Sequence, residues 1–207
     1  MPTILQPYVN LISITDKAQE LIEYCGRKCW KSEDKIEPGS ASKFIKMLKN
    51  KKHISVIEHA SATFEIITDR GVSHEIVRHR IASFSQESTR YCNYSKTTGK
   101  MTGEIFVIKP SGMSEQESSE WWDAMLDAER HYLNLISMGS TPQRARSVLP
   151  TCTKTDIAVT MNFRAWLHFI DLRAKAPPAH PDIAPLAQAI QKILVEKAGA
   201  VFSEEAV

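Results

Sequence analysis

The chain has 207 residues, 43% of them hydrophobic, enough to bury one core of ordinary size and too few for several independent domains. Its 26 basic and 24 acidic side chains leave a formal charge of +2, which excludes holding a polynucleotide by overall charge, so any anion site must be local. The N-terminus carries neither a basic n-region nor a continuous apolar stretch, and no uncharged apolar run approaches the roughly 18 residues that span a bilayer. A soluble, cytoplasmic chain is expected, with no membrane and no nucleic-acid partner.

Thr15 is placed to cap a first helix whose apolar stripe runs through Ala18, Leu21, Ile22, Cys25 and Cys29. Ala41, Phe44, Ile45 and Leu48 repeat that spacing after Pro38-Gly39-Ser40. The lysines Lys43, Lys46, Lys49, Lys51 and Lys52 fall on the outer side of this second helix and read as a solvated face. Residues 61 to 66 then alternate, with Ala62, Phe64 and Ile66 on one side, which is the period of a strand. Asp69-Arg70-Gly71 reads as a turn. Ser73 follows as the cap of a helix through Ile76 and Val77 that runs into Arg78-His79-Arg80.

Residues 83 to 95, rich in Ser, Thr and Asn, read as a loop, and Glu104 to Ile108 as a short strand. Ser114 and Glu117 form a capping box for a long helix carrying Trp122, Met125, Leu126, Leu133 and Ile136 and stopping at Gly139. Thr141-Pro142 opens a short helix that Pro150 ends. Residues 154 to 162 alternate again, with Ile157, Val159 and Met161 on one face, and lead into a helix of about ten residues ending near Arg173. A loop with Pro177, Pro178 and Pro181 precedes a last helix striped by Leu186, Ile190, Ile193, Leu194 and Val201. The expected fold is a single α+β domain over residues 1–207, with a small mixed or antiparallel sheet flanked by helices, including a long central one.

Cys25, Cys29, Cys92 and Cys152 show no zinc-ribbon pairing, so free thiols and no metal are expected, with Cys25, Cys29 or both in the core. Seven of the ten arginines (Arg78, Arg80, Arg90, Arg144, Arg146, Arg164 and Arg173) lie in three short segments that contain no lysine. A guanidinium offers a rigid, always charged fork that matches phosphate and stacks on flat rings, whereas lysine is a flexible point charge. The segregation points to planar or phosphorylated ligands. For any one arginine a surface ion pair is the simpler reading, and seven together weaken it.

His79 between two arginines would be held as neutral imidazole if the three side chains converged, yet successive helical residues point about 100° apart. Alone, Arg-His-Arg is a weak motif. Its continuation, Ile81 to Tyr91, is a hydroxyl- and amide-bearing loop in which side chains and exposed N–H groups can cradle a phosphate while Arg90 neutralises it. A nucleophilic Ser88 is the sharper alternative, but no adjacent base is assured.

Arg78-His79-Arg80, seven residues, Ser88, then Arg90 and Tyr91 resembles the long signature of the flavin-dependent thymidylate synthases. His53-Ile54-Ser55 with Glu58-His59, Arg146-Ser147-Val148-Leu149-Pro150, Asn162-Phe163-Arg164 and Leu172-Arg173 are similar to further family elements, spanning residues 53 to 173. The resemblance implies a homotetramer with active sites shared between subunits, FAD as cofactor, NADPH as reductant, methylenetetrahydrofolate as one-carbon donor, and conversion of dUMP to dTMP.

Carried over by position, Ser55, Arg78, His79, Arg80, Gln86, Asn162, Phe163, Arg164 and His168 would contact the flavin. At the position of His168 the family often has an amide. Glu75, Ile76, Val77, Arg78, Gln86, Glu87, Ser88, Thr89, Arg90, Arg146 and Arg173 would bind dUMP, with Arg173 catalytic through stabilisation of charge developing on the uracil. His53 is placed near folate or nicotinamide, or is structural. Glu75 stands where many relatives have glutamine, and an ionised carboxylate cannot donate the amide hydrogen bond.

Two rivals remain. A classical thymidylate synthase requires an activated cysteine, and Cys152 in Pro150-Thr151-Cys152-Thr153 has no adjacent histidine or arginine. An arginine-rich nucleotide- or RNA-binding module would use Tyr91 and Tyr94 for stacking.

Overall fold

The computed structural model describes residues 1–97, 102–175 and 180–203. Pro177 and Pro178 lie outside the described residues. In chain order come strands β1 (Thr3–Leu5) and β2 (Tyr8–Ile14), helices α1 (Ala18–Lys28) and α2 (Ser40–Asn50), strand β3 (Ser61–Asp69), helix α3 (Arg70–Ile76), and strands β4 (Ser83–Gln86) and β5 (Phe106–Ile108). They are followed by helices α4 (Glu115–Ser137) and α5 (Pro142–Ala145), strand β6 (Lys154–Asn162), helix α6 (Phe163–Ile170) and helix α7 (Ala184–Phe202). An antiparallel sheet has the order β2-β3-β6-β4, while β1 and β5 form a separate parallel pair, with Ile4 opposite Val107. The class is α+β, as expected. Among the described residues no helix is long and apolar enough to cross a membrane.

The backbone gathers into two compact units, interleaved along the chain. The first comprises Met1–Tyr8, Ile66–Arg78 and Ser85–Ile157. Its core packs Tyr94, Ile105, Val107, Met125, Tyr132 and Ala145, all buried, with Trp121, Trp122, Leu133 and Cys152 against them. Helix α4 starts as the capping box predicts: Ser114 accepts from the Glu117 N–H while the Glu117 carboxylate accepts from the Ser114 N–H. It stops at Gly139, whose φ of 88° is the left-handed conformation that ends helices. On its buried side Glu129 accepts from the Ile105 N–H and pairs with the N-terminal ammonium at 3.1 Å.

The second unit comprises Val9–Glu65, His79–Phe84 and Ala158–Val207. Ala62 and Phe64 on β3, Val159 and Met161 on β6, and Phe163, Trp166 and Phe169 on α6 form its interior with Ile190, Leu194 and Phe202 of α7. Trp166 stands edge-on to Phe64 at 5.1 Å between ring centroids and donates its indole N–H to the Ala62 carbonyl at 3.0 Å, so the large ring is buried with its one polar atom satisfied.

Several local expectations change. Thr15 does not cap α1; its hydroxyl and N–H bond instead to Ser61, tying the end of β2 to the start of β3. Asp69-Arg70-Gly71 is not a free turn but the start of α3, because the Asp69 carboxylate accepts from the Val72 N–H at 2.7 Å. Ser73 therefore lies inside the helix and donates to the Arg70 carbonyl. Residues 83 to 86 form an edge strand rather than loop. Lys49 leaves the solvated lysine face: its ammonium donates to the carbonyls of Val201 and Ser203, closing the end of α7. Cys25 is partly buried and Cys29 exposed, so Cys29 is not core.

Periodicity did not signal the charged centre of α1. Glu23 is 1% exposed and accepts from Arg27 at 2.6 and 2.8 Å and from Ser40 at 2.7 and 2.8 Å, locking α1 to the start of α2. Removing one member of a buried pair strands the other charge. Arg27→Ala is expected to lower unfolding stability by about 3 kcal/mol in chemical denaturation, whereas Lys46→Ala on the exposed side of α2 should change it little.

Candidate functional site

In the second unit the chain leaves β6 through Asn162, whose side-chain oxygen accepts from the Ala165 N–H at 2.8 Å and starts α6 without an intervening loop. The apolar side of α6 goes inward with Phe163, Trp166 and Phe169, leaving Arg164 and His168 exposed. A π-turn, Asp171–Lys175, follows directly and carries Arg173. Such a turn inserts one extra residue per turn and re-aims the side chains after it.

The result is a cluster around His79. Arg173 donates through Nε to His79 Nε2 at 3.1 Å. Accepting there, the ring nitrogen presents its lone pair, so the imidazole is the neutral tautomer with its proton on Nδ1. The His79 ring sits edge-on to Phe169 at 4.9 Å and to His168 at 5.8 Å. The arginine that engages the ring is Arg173, not either of the sequence neighbours expected to converge on it. Of its neighbours in sequence, Arg78 is exposed and Arg80 largely so.

Of the other positions in this unit, Ser55 is exposed, and Arg164 pairs with Glu58 at 2.6 Å in a solvent-facing bridge. Phe163 is expected among the flavin contacts, but its side chain is fully buried against Phe202 at 5.0 Å and its N–H is bonded to the Ala60 carbonyl. Its ring belongs to the core. His53 is exposed, and its N–H closes the end of α2 on the Leu48 carbonyl.

In the first unit the loop after β4 is held from several sides. The Glu87 N–H donates to the Asp156 carbonyl at 2.8 Å, while Tyr91 and Cys92 donate to the Ser88 carbonyl at 3.1 and 2.9 Å. The Arg90 N–H reaches the Ser88 hydroxyl at 3.3 Å. Thr89 is buried and accepts from Arg146 at 3.3 Å, and the exposed Arg90 donates through Nε to Gln143 at 2.9 Å. Ser88, Thr89, Arg90 and Arg146 are therefore brought together, joined by Gln143, which sequence reasoning missed. A serine and two guanidiniums around a turn form an anion-binding donor set.

Gln86 donates its amide to Ser73 and Thr155 at 2.9 and 3.0 Å, leaving its carbonyl oxygen as the side chain's acceptor. Ile76 is fully buried, Glu75 partly buried, and Val77 and Arg78 exposed, so Ile76 supports α3 from the core side rather than presenting its side chain to a ligand. Arg70, read as a turn residue, sends its guanidinium to the Glu87 carbonyl and the Thr155 hydroxyl, both at 3.3 Å. Its sequence signal was its place immediately after a capping aspartate.

The rival residues are placed differently from what their chemistries need. Cys152 packs on the core with its thiol 3.2 Å from the Met125 sulfur, and burial pushes the thiol's pKa up. A nucleophilic cysteine needs the opposite shift. Tyr94 is buried and cannot serve as a stacking platform, whereas Tyr91 is exposed with Arg90 over its ring at 5.1 Å.

A family model described as thymidylate synthase complementing protein matches residues 10–198. The flavin-dependent thymidylate synthase of Mycobacterium sp. (strain KMS) is 36% identical, the match covering 89% of this chain and 78% of that one. The protein of the same name from Corynebacterium diphtheriae is 34% identical over 93% of this chain and 81% of its own. A solved structure of the UMP/dUMP methylase PolB from Streptomyces cacaoi, bound with 5-Br dUMP, superposes with a TM-score of 0.82 and 23% identity, covering 98% of this chain and 95% of that one. At that identity the likeness concerns the fold.

The placement of Cys152 generates a direct chemical test. In the folded protein at mildly alkaline pH, Cys152 should react with an aromatic disulfide reagent more slowly than the exposed Cys29, as read by peptide mapping. A Cys152 that reacts first would contradict its partly buried, unactivated setting.

Proposed function

Because the chain belongs to the thymidylate synthase complementing protein family, we propose that it is a flavin-dependent thymidylate synthase that converts dUMP to dTMP. The observation that carries the reading is the Arg173–His79 hydrogen bond, which joins the residue expected to polarise the uracil to one expected to hold the flavin. The proposal includes methylenetetrahydrofolate as one-carbon donor, NADPH as reductant, and a cytoplasmic homotetramer whose active sites draw on several subunits.

The donor set of the second unit suits FAD. A neutral imidazole braced on Phe169 offers a flat contact, and Arg80 and Arg164 with the Ser55 hydroxyl offer charge and hydrogen bonds for a pyrophosphate. His168, beside His79, adds a further ring, and the Asn162 amide nitrogen complements its capping oxygen as a donor. When bound, reduced FAD supplies the hydride that the protein's own side chains lack.

The remaining work falls to residues of this chain. Ser88, Arg90 and Arg146 bind the dUMP phosphate, with Thr89 fixing the Arg146 fork and Gln143 that of Arg90. Arg78 and Gln86 add contacts to the nucleotide. Arg173, fixed through Nε by His79, presents its planar fork to the uracil carbonyl region, where negative charge develops as the ring reacts. A guanidinium pre-aimed in this way requires no covalent attachment of the ring, consistent with the partly buried Cys152 thiol, whose pKa is pushed up.

Purified protein, or protein reconstituted with FAD, should absorb near about 450 nm, the band of the isoalloxazine system. It should form dTMP from dUMP with methylenetetrahydrofolate and NADPH. Arg173→Ala is expected to lower kcat by about a hundredfold or more with flavin retained, whereas His79→Ala should lose flavin. Protein that stays colourless after reconstitution would refute the reading, and equal flavin loss in both variants would refute the division of roles.

A further inference from the structure

Glu87 poses a problem for the proposed phosphate loop, since a carboxylate next to Ser88 would repel a dianion. The structure answers it on both carboxylate oxygens. Oε1 accepts from the Tyr94 hydroxyl at 2.5 Å, and Oε2 accepts from the Lys154 ammonium at 2.7 Å. The Lys154 and Glu87 side chains are 19% and 15% exposed, so the pair is largely withdrawn from water and its opposite charges offset each other.

The geometry of this pair encloses the loop. Glu87 immediately precedes the Ser88–Cys92 turn, and Tyr94 stands just after it, so their hydrogen bond closes the loop across its base. Each partner is anchored in turn. Tyr94 is buried, its ring 5.7 Å from that of Tyr132, and its N–H donates to the Tyr132 hydroxyl. Lys154 begins β6, and the Glu87 backbone is bonded to Asp156 on that strand and to Arg70 on α3. Burial and the neighbouring Glu87 charge push the Tyr94 phenol well above its ordinary range, so it stays a proton donor at any working pH.

Resting on the assignment of dUMP to this loop, we propose that Glu87 is a positioning residue rather than a substrate ligand: clasped by Tyr94 and Lys154, it staples the loop in its phosphate-binding conformation while its own charge is cancelled. This revises the expectation that Glu87 touches dUMP. It also gives Tyr94 and Lys154, assigned to no ligand, a role in substrate affinity.

The staple has consequences that a direct ligand would not. Tyr94→Phe removes one hydroxyl from a buried ring and keeps the packing. In the flavin-loaded enzyme it should accelerate hydrogen exchange of the amides at 91 and 92 without any nucleotide present. It should also raise the Kd for dUMP by about tenfold, the effect of losing one hydrogen bond to a charged group, with kcat at saturating dUMP largely retained. Lys154→Met, which removes the cation from the carboxylate, should weaken dUMP more than it weakens deoxyuridine, because only dUMP carries the phosphate. Glu87→Gln, still able to accept from Tyr94, should bind dUMP better than Glu87→Ala.

Unchanged amide exchange in Tyr94→Phe would overturn the staple, and faster exchange with an unchanged Kd would overturn its link to substrate. Glu87→Ala weakened while both partner variants bind normally would restore Glu87 as a direct ligand. Failure of the parent enzyme to bind dUMP would instead refute the functional reading on which the role depends.

Discussion

Two side-chain caps carry the architecture. Asp69 ends β3 and Asn162 ends β6, and each oxygen accepts from an N–H three residues on, at 2.7 and 2.8 Å, so each strand turns directly into a helix. Connections this short leave the first helical turns little conformational freedom. Within the first unit Arg70, the first residue of α3, is thereby aimed at Glu87 and Thr155. In the second, the same constraint at Asn162 sets the direction of Arg164, His168 and the π-turn bearing Arg173. Gly71 belongs to this constraint: a Cβ there would stand 3.0 Å from the capping oxygen of Asp69, so glycine leaves the carboxylate room to reach Val72.

Rigidity at the candidate site comes from the core beneath it. Trp166 and Phe169 are edge-on at 5.4 Å, and Phe169 meets His79 at 4.9 Å, so a ring of the interior directly supports a ring of the site. The start of α6 is held by Phe163 against Phe202. Movement of His79 toward a ligand would therefore disturb packed aromatic contacts, which favours a preformed geometry.

The long periodic elements were legible because burial imposes their period: the apolar faces of β3 and β6 and the capping box of α4 are found where the sequence puts them. The misreadings have physical reasons. Asp and Ser are comparable caps, and Gly71 made Asp69-Arg70-Gly71 look like a turn although its glycine serves a helix start. Strand β4, Ser-Phe-Ser-Gln, is a short polar edge, and its pairing depends on a distant strand rather than on its own pattern. The Arg173–His79 contact joins residues 94 positions apart, so no local rule contains it. Motif resemblance named both residues but not their pairing, and it placed Phe163 at the flavin without distinguishing a core position from a contact.

The separation of arginine from lysine acquires a physical meaning in three dimensions. Lys49 closes the end of α7 and Lys154 neutralises Glu87, both tasks for a compact ammonium on a flexible stem reaching a fixed oxygen. Three arginines of the lysine-free segments are held differently. Arg90 and Arg146 are steadied by the uncharged Gln143 and Thr89, and Arg173 is oriented through Nε by the neutral ring of His79. A neutral partner fixes the direction of a guanidinium fork without offsetting its charge, which a carboxylate would do. Arg164 pairs instead with Glu58, in a bridge open to solvent on both sides, where an exchange of partners costs little. Around the Ser88–Cys92 turn, then, guanidinium charge is held by neutral groups, and the Glu87 carboxylate is offset by lysine.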